Sequence, residues 1–245
     1  MINKNIINNI IIIPARGGSK GVKYKNLRNV YGKPLIEYSI ETALNTPDID
    51  LVAVSTEDEQ IASVSKDLGV KIINRPKELA TDEVSLPEVI KHAKYFFEGQ
   101  GIYPSRYISL QPTGPLVTSK SLTEAISIHK MTKCDSIVSI TEVVHGHPYW
   151  VKSFDPKTYK VSNFMNIDVG NYPQKQDLPR SYMLTGGFYI RKAELLNESR
   201  GLYLGNDIRG YPLSLEEALD IDTEDDISYF KYLIEKKQNK KFMNK

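Results

Sequence analysis

Ile10, Ile11, Ile12 and Ile13 form an unbroken β-branched run that stops at Pro14. Four such residues in a row cannot divide a strand into a wet and a dry face, so the strand they form must be buried on both sides, as in a parallel sheet covered by helices. Directly after it comes Ala15-Arg16-Gly17-Gly18-Ser19-Lys20-Gly21, then Lys23, Lys25 and Asn26. Open α/β sheets bind ligands outside the carboxyl ends of their strands, and this loop lies at such an end.

The rest of the chain keeps an alternating beat. Leu35, Ile36, Ser39, Ile40, Ala43 and Leu44 follow helical spacing behind Pro34, and Leu51–Val54 reads as a second strand. Thr56 with Glu59 has capping-box spacing for a helix that Gly69 can end, and Val70–Ile73 is a third strand. A helix at about Leu86–Phe97, a strand at Tyr107–Leu110, a helix at about Ser121–Lys130 and a strand at Ser136–Ile140 continue the pattern. The class is α/β, a doubly wound and mostly parallel sheet.

Regularity fails between about Thr141 and Pro179, a stretch rich in aromatics, Pro and Asn, which reads as an excursion from the core. Strand signals return at Tyr182–Ile190 and Leu213–Ile221. Thr223 with Asp226 can cap a last amphipathic helix through Ile227, Phe230, Leu233 and Ile234, with the Lys-rich segment from Lys236 as a frayed end.

At 245 residues, with 40% hydrophobic and 25% charged, the chain suits one globular domain over 1–245 and excludes disorder. A net charge of +2 demands neither nucleic acid nor an anionic membrane as partner, so any basic function must be local. Cys134 is the only cysteine, which rules out an internal disulfide or an all-thiolate zinc site and fits a reducing, cytoplasmic setting. Asn3, Asn5, Asn8 and Asn9 interrupt the Ile-rich start before it reaches signal-peptide or membrane-span length.

The first loop has the composition of a phosphate cradle. Paired glycines let backbone N–H groups turn toward an anion, and Arg16, Lys20 and Lys25 supply charge. It is neither a Walker A loop nor a dinucleotide fingerprint, because both spacings are absent. The bland alternative is a solvated basic turn. Near the other end, Asp220 and Asp222 flank Ile221, and in an extended segment residues i and i+2 share a face, so both carboxylates can approach one hard cation. Helix-start capping is the alternative for that pair.

These blocks, taken in order with Lys25-Asn26, Gly32-Lys33-Pro34-Leu35-Ile36, Ser55-Thr56-Glu57-Asp58, Arg75 through Asp82, and Leu110-Gln111-Pro112-Thr113, resemble the motif set of the CMP-N-acylneuraminate synthetases across nearly the whole chain. The resemblance implies a Rossmann-like, dimeric nucleotidyltransferase in which an acidic nine-carbon sugar attacks the α-phosphorus of CTP with the help of Mg²⁺. It implies that Arg16, Lys20, Lys25 and Asp222 act on the reacting phosphates. Ala15, Gly17, Gly18, Ser19, Asn26, Arg75 and Ser85 would hold the nucleotide together with Arg16 and Lys20. Gln111, Lys175 and Gln176 would face the sugar, and Asp220 and Asp222 would bind the metal. Such chemistry relies on positioning and on cations that neutralise phosphate charge.

Gly114-Pro115-Leu116-Val117 stands where the family has Ser-Pro-Leu-Arg, Lys175 where it has Arg, and Thr185-Gly186-Gly187 where it has Asn-Gly-Ala. These departures predict an acceptor pocket less polar than one for sialic acid, suited to a less hydroxylated acid of the legionaminate or pseudaminate kind. An eight-carbon ulosonic acid as acceptor, or a sugar 1-phosphate with another nucleotide, stays open as an alternative. A binder without catalysis would not need both phosphate cations and a carboxylate pair. His145 and His147 lack acidic or thiolate partners nearby and read as loop or interface residues. Tyr149, Trp150, Phe154, Tyr159 and Phe164 suggest a subunit contact. Asp135 and Asp168 read as surface or turn residues.

Overall fold

The computed structural model describes residues 5–197 and 203–243. The chain opens with β1 (Asn5–Pro14), passes through the glycine-rich loop and a two-residue-per-strand hairpin of β2 (Asn29–Val30) and β3 (Lys33–Pro34), and enters α1 (Leu35–Leu44). Then come β4 (Leu51–Thr56), α2 (Glu59–Asp67), β5 (Lys71–Asn74), α3 (Leu86–Glu98), β6 (Ile102–Leu110), α4 (Ser119–Thr132) and β7 (Ser136–Glu142). A small exposed hairpin, β8 (Lys152–Phe154) with β9 (Val161–Asn163), precedes β10 (Tyr182–Lys192), β11 (Ile208–Pro212) and α5 (Glu224–Met243).

Seven strands form one sheet in the order β11-β7-β10-β6-β1-β4-β5. All neighbours run parallel except β10, which lies antiparallel between β6 and β7. From β1 the chain steps outward through β4 to β5, then crosses back so that β6 pairs with the other side of β1. This reversal opens a crevice at the carboxyl ends of β1 and β6.

Burial explains why β1 sits at the centre. Ile10 to Ile13 are all inaccessible, with Ile11 and Ile13 packing against α1, α2 and α4 on one face, and Ile10 and Ile12 against α3 on the other. Each fully buried isoleucine contributes roughly 1.5–3 kcal/mol, so the run anchors both layers. A third cluster joins Leu35, Val22 and Ile221 to the inner face of α5 through Ile227, Phe230 and Leu233. It ties the loop after β1 to the segment before α5.

Three local expectations are corrected. The last strand is Ile208–Pro212, and Leu213–Ile221 is irregular: Leu213 and Ile221 are buried, but they reach the core from turns and not from a ladder. Helix α2 is capped by Asp58, whose carboxylate accepts the N–H groups of Gln60 and Ile61, because Thr56 is still paired within β4. The segment from Lys236 continues α5 to Met243, with Lys236 paired to Glu216 at 2.8 Å. The Thr223–Asp226 cap forms as the sequence suggests.

The excursion is inserted between β7 and β10, which are hydrogen-bonded neighbours: Glu142 pairs with Tyr182, and the Val143 N–H donates to Ser181 O at 2.9 Å. Within it, Trp150, Phe154, Tyr159, Val161, Phe164 and Met165 are all exposed.

Candidate active site

A cleft of about 500 Å³ lies at the sheet reversal. The residues that line it follow the carboxyl ends of the parallel strands: Arg16, Ser19 and Lys20 after β1, Arg75 after β5, and Gln111 after β6. Lys25, Asn26 and Asp222 close the near wall.

The loop after β1 is shaped by contacts and not only by composition. The Gly17 N–H donates to Glu57 Oε1 at 2.8 Å, and a Cβ at Gly17 would lie 2.4 Å from Asp58 Oδ2. A Cβ at Gly21 would lie 2.1 Å from the Asp222 carbonyl oxygen, so the loop and the Asp220–Asp222 segment touch backbone to backbone. Gly18 has open space around it. Buried Asn26 donates to Arg16 O at 2.9 Å and fixes the loop's return.

Lys25 is mostly enclosed. Its ammonium donates to Ile221 O at 2.7 Å and pairs with Asp222 Oδ1 at 3.0 Å, joining residues nearly the whole chain apart. Arg16 and Lys20 both pair with Asp82, Lys20 at 2.5 Å. Those contacts, with Lys20 first and Arg16 next, hold the Asp82 carboxyl below the usual aspartate range.

Arg75 is buried, donates to Ser55 O through one guanidinium nitrogen, and keeps Nε without a hydrogen-bond partner among the described residues. Burial pushes its pKa down, and the charge of Glu57 opposes that. Arg75 lines the cleft wall, with its unpartnered Nε enclosed behind that wall. Ser85 caps α3 by position, exposed, between Val84 and Leu86, which line the cleft while Ser85 does not.

Asp220 keeps solvent access as a residue, yet surrounding protein desolvates its carboxyl and pushes its pKa up; a hydrogen bond from Thr113 opposes this and the charge of Asp222 adds to it. The capping alternative for the pair goes instead to Asp226, which accepts the N–H groups of Asp222 and Thr223 at 3.0 and 2.7 Å. Among the described residues no group of three His, Cys, Asp or Glu side chains converges. A cation here would have two carboxylates and draw its other oxygens from water and a bound phosphate, which suits Mg²⁺.

Gln111 lines the cleft, its amide nitrogen donating to Gly186 O. Gly186 sits in a β10 irregularity where the pairing register to β7 slips between Leu184 and Tyr189. Lys175 and Gln176 are not brought to this cleft within the chain. They occupy an exposed turn of the excursion, where Lys175 lines a separate cavity of about 220 Å³ with His145, His147, Trp150 and Arg180. His147 is held by Pro179 O and by the Tyr149 N–H, so it is a loop-shaping residue. Asp135 and Asp168 are turn residues, accepting the backbone N–H groups of Asn206 and Asp207 and of Gly170 respectively.

The departures near residues 114–117 and 185–187 pack within the fold and do not line this cleft. Val117 is buried in the main core, Thr185 is buried with its hydroxyl on Ser139 Oγ at 2.7 Å, and a Cβ at Gly187 would lie 3.0 Å from Val117 Cγ2. Gly114 likewise faces Gly187 Cα at 3.2 Å from its would-be Cβ. These residues therefore pack against one another as one set. The expectation that Val117 and Thr185 make an acceptor pocket less polar does not hold, since neither lines the cleft.

Three residues that hold the cleft's walls or its charged groups went without a role at the sequence level: Glu57, Asp82 and Thr113. All lie inside motif blocks quoted above, and for Glu57 and Asp82 the available signal was an acid within reach of a basic loop.

A family model for cytidylyltransferases matches residues 10–244. An N-acylneuraminate cytidylyltransferase of Streptococcus agalactiae serotype III (strain NEM316) is 30% identical over 95% of this chain and 56% of its own length. The chain thus spans about half the length of that relative. A CMP-N,N'-diacetyllegionaminic acid synthase of Legionella pneumophila subsp. pneumophila (strain Philadelphia 1) is 30% identical over 94% of this chain and 97% of its own. Among solved structures, a CMP:2-keto-3-deoxy-manno-octonic acid synthetase complexed with CTP superposes with a TM-score of 0.68 at 18% identity, covering 94% of this chain and 99% of that one. That likeness speaks for the fold.

Proposed function

The chain belongs to the cytidylyltransferase family, and from that premise we propose that it transfers CMP from CTP to an acidic nine-carbon sugar, releasing pyrophosphate. The observation that carries this reading is the joint placement of Arg16, Lys20, Lys25 and Asp222 on one cleft at the sheet reversal. In the proposed reaction the sugar's anomeric hydroxyl gives its proton to water and its oxygen bonds to the α-phosphorus, while the bond from that phosphorus to the bridging oxygen breaks and the electron pair leaves with pyrophosphate. Arg16 and Lys20 neutralise the phosphates, Lys25 holds the Asp222 segment against the loop, and Arg75 adds its charge to the cleft wall on the nucleotide side. Asp220 and Asp222 would hold Mg²⁺, which supplies charge neutralisation on the phosphate oxygens.

The acceptor we favour is a deoxygenated, N-acylated acid of the legionaminate or pseudaminate kind. Support comes from a relative of matching length that is named for N,N'-diacetyllegionaminic acid. The cytoplasm is the natural setting, and no helix of the described residues is long and apolar enough to cross a membrane. A pyrophosphate-release screen of four nucleotides against a panel of ulosonic acids tests the reading. CTP, a divalent metal and a nine-carbon acid should be required, with kcat/KM lower for N-acetylneuraminate. Equal rates with UTP, or full activity in excess chelator, would refute it.

A further inference from the structure

Asp82 stands out among the acidic residues of the cleft because its two carboxylate oxygens are divided between two cations: Oδ1 takes Arg16 and Oδ2 takes Lys20. Arg16 and Lys20 come from the loop after β1, whereas Asp82 comes from the irregular segment between β5 and α3. Thr81, Asp82 and Val84 of that segment line the cleft wall. A carboxylate bridging two basic side chains mimics the charge and the forked oxygens of a phosphate group.

Resting on the reading of Arg16 and Lys20 as phosphate cations, we propose that Asp82 is a built-in competitor for the phosphate site, which occupies both cations until a polyphosphate displaces it and reclaims them as pyrophosphate departs. The two cations repel each other when nothing lies between them, and Asp82 relieves that repulsion. An incoming triphosphate carries more charge and more oxygens than one carboxylate, so it wins the exchange, at an affinity reduced by the contacts it must break. The same subtraction applies to pyrophosphate, whose dissociation the returning carboxylate favours. Binding also frees the Thr81–Ser85 segment from the loop, so the wall of the cleft responds to the nucleotide's phosphates and not only to its base.

The experiment is calorimetric titration of the full chain with inorganic tripolyphosphate and with pyrophosphate, comparing the parent with Asp82→Asn, Glu83→Gln and Lys20→Ala. One exposed and one half-buried ion pair are at stake, so Asp82→Asn should bind both anions about fivefold more tightly. Glu83→Gln removes the same charge one residue away and should shift affinity much less. Unchanged or weaker binding by Asp82→Asn, or an equal gain in Glu83→Gln, would overturn the proposal. Parent-like binding by Lys20→Ala would instead overturn the phosphate reading on which it rests. In steady state, Asp82→Asn should also show stronger product inhibition by pyrophosphate, a readout that mere loss of a structural contact would not produce.

Discussion

At Gly21 an added methyl group would be forced into the Asp222 carbonyl, whereas at Gly18 it would meet nothing within 4 Å. Gly21→Ala should therefore cost about 1–3 kcal/mol of overpacking, and by pushing the loop off the Asp222 segment it should lower kcat/KM by about a hundredfold, the usual penalty for a 1 Å misplacement. Gly18→Ala should melt within about 0.5 kcal/mol of the parent. Thermal melts of both variants check this, and equal losses would show that the backbone contact does not matter. In the proposed reaction Lys20 and Asp222 act by charge, so Lys20→Ala and Asp222→Asn should each lower kcat by about a hundredfold with the fold intact; steady-state kinetics beside circular dichroism checks that. At this scale the basic loop and the carboxylate pair were readable because their residue types are unusual together. The Asp82 bridge was not, since pairing across 60-odd residues depends on how β5 and α3 place that segment.

Asp135, at the start of β7, shows how a turn is held between elements. It accepts from Lys192 Nζ at 2.9 Å and from the N–H groups of Asn206 and Asp207, and these contacts, Lys192 first, hold its carboxyl down to about 2 against the ordinary 3.8. A carboxylate depressed by folding stabilises fully above its unfolded value and loses that contribution as pH falls through the folded one. Asp135→Asn should thus lower Tm at pH 7, with the gap to the parent closing as pH drops from 3.8 toward 2; melts across that range measure it, and a constant gap would assign the loss to packing. Elements whose apolar residues follow burial, such as the unbroken run of β1 and the helical spacing of α3, could be read from the chain because the faces each element buries dictate where its apolar residues fall. β11 could not. Ile208-Arg209-Gly210-Tyr211-Pro212 has no clean alternation and exists because β7 offers a parallel edge, with the Ile140 side-chain tip lying over Gly210.

For the whole molecule, the exposed aromatics of the excursion, together with Lys175 and Gln176 standing apart from the cleft, favour a second copy that covers the former and draws the latter into use. Light scattering at micromolar concentration should give a homodimer, and a monodisperse monomer would count against it. The insertion point has a further consequence. Because the excursion leaves and rejoins the sheet at the Val143–Ser181 pair, between strands that are already neighbours, its removal asks the core to close no gap wider than an ordinary hairpin turn. Replacing residues 144–180 by Asn-Gly should leave a folded monomer that still binds CTP, since every residue lining the cleft lies outside that span. The chain would then be separable like a tool and its handle: a nucleotide-gripping body of constant shape, and a graftable cassette through which assembly and the choice of sugar can be exchanged without redesigning the body.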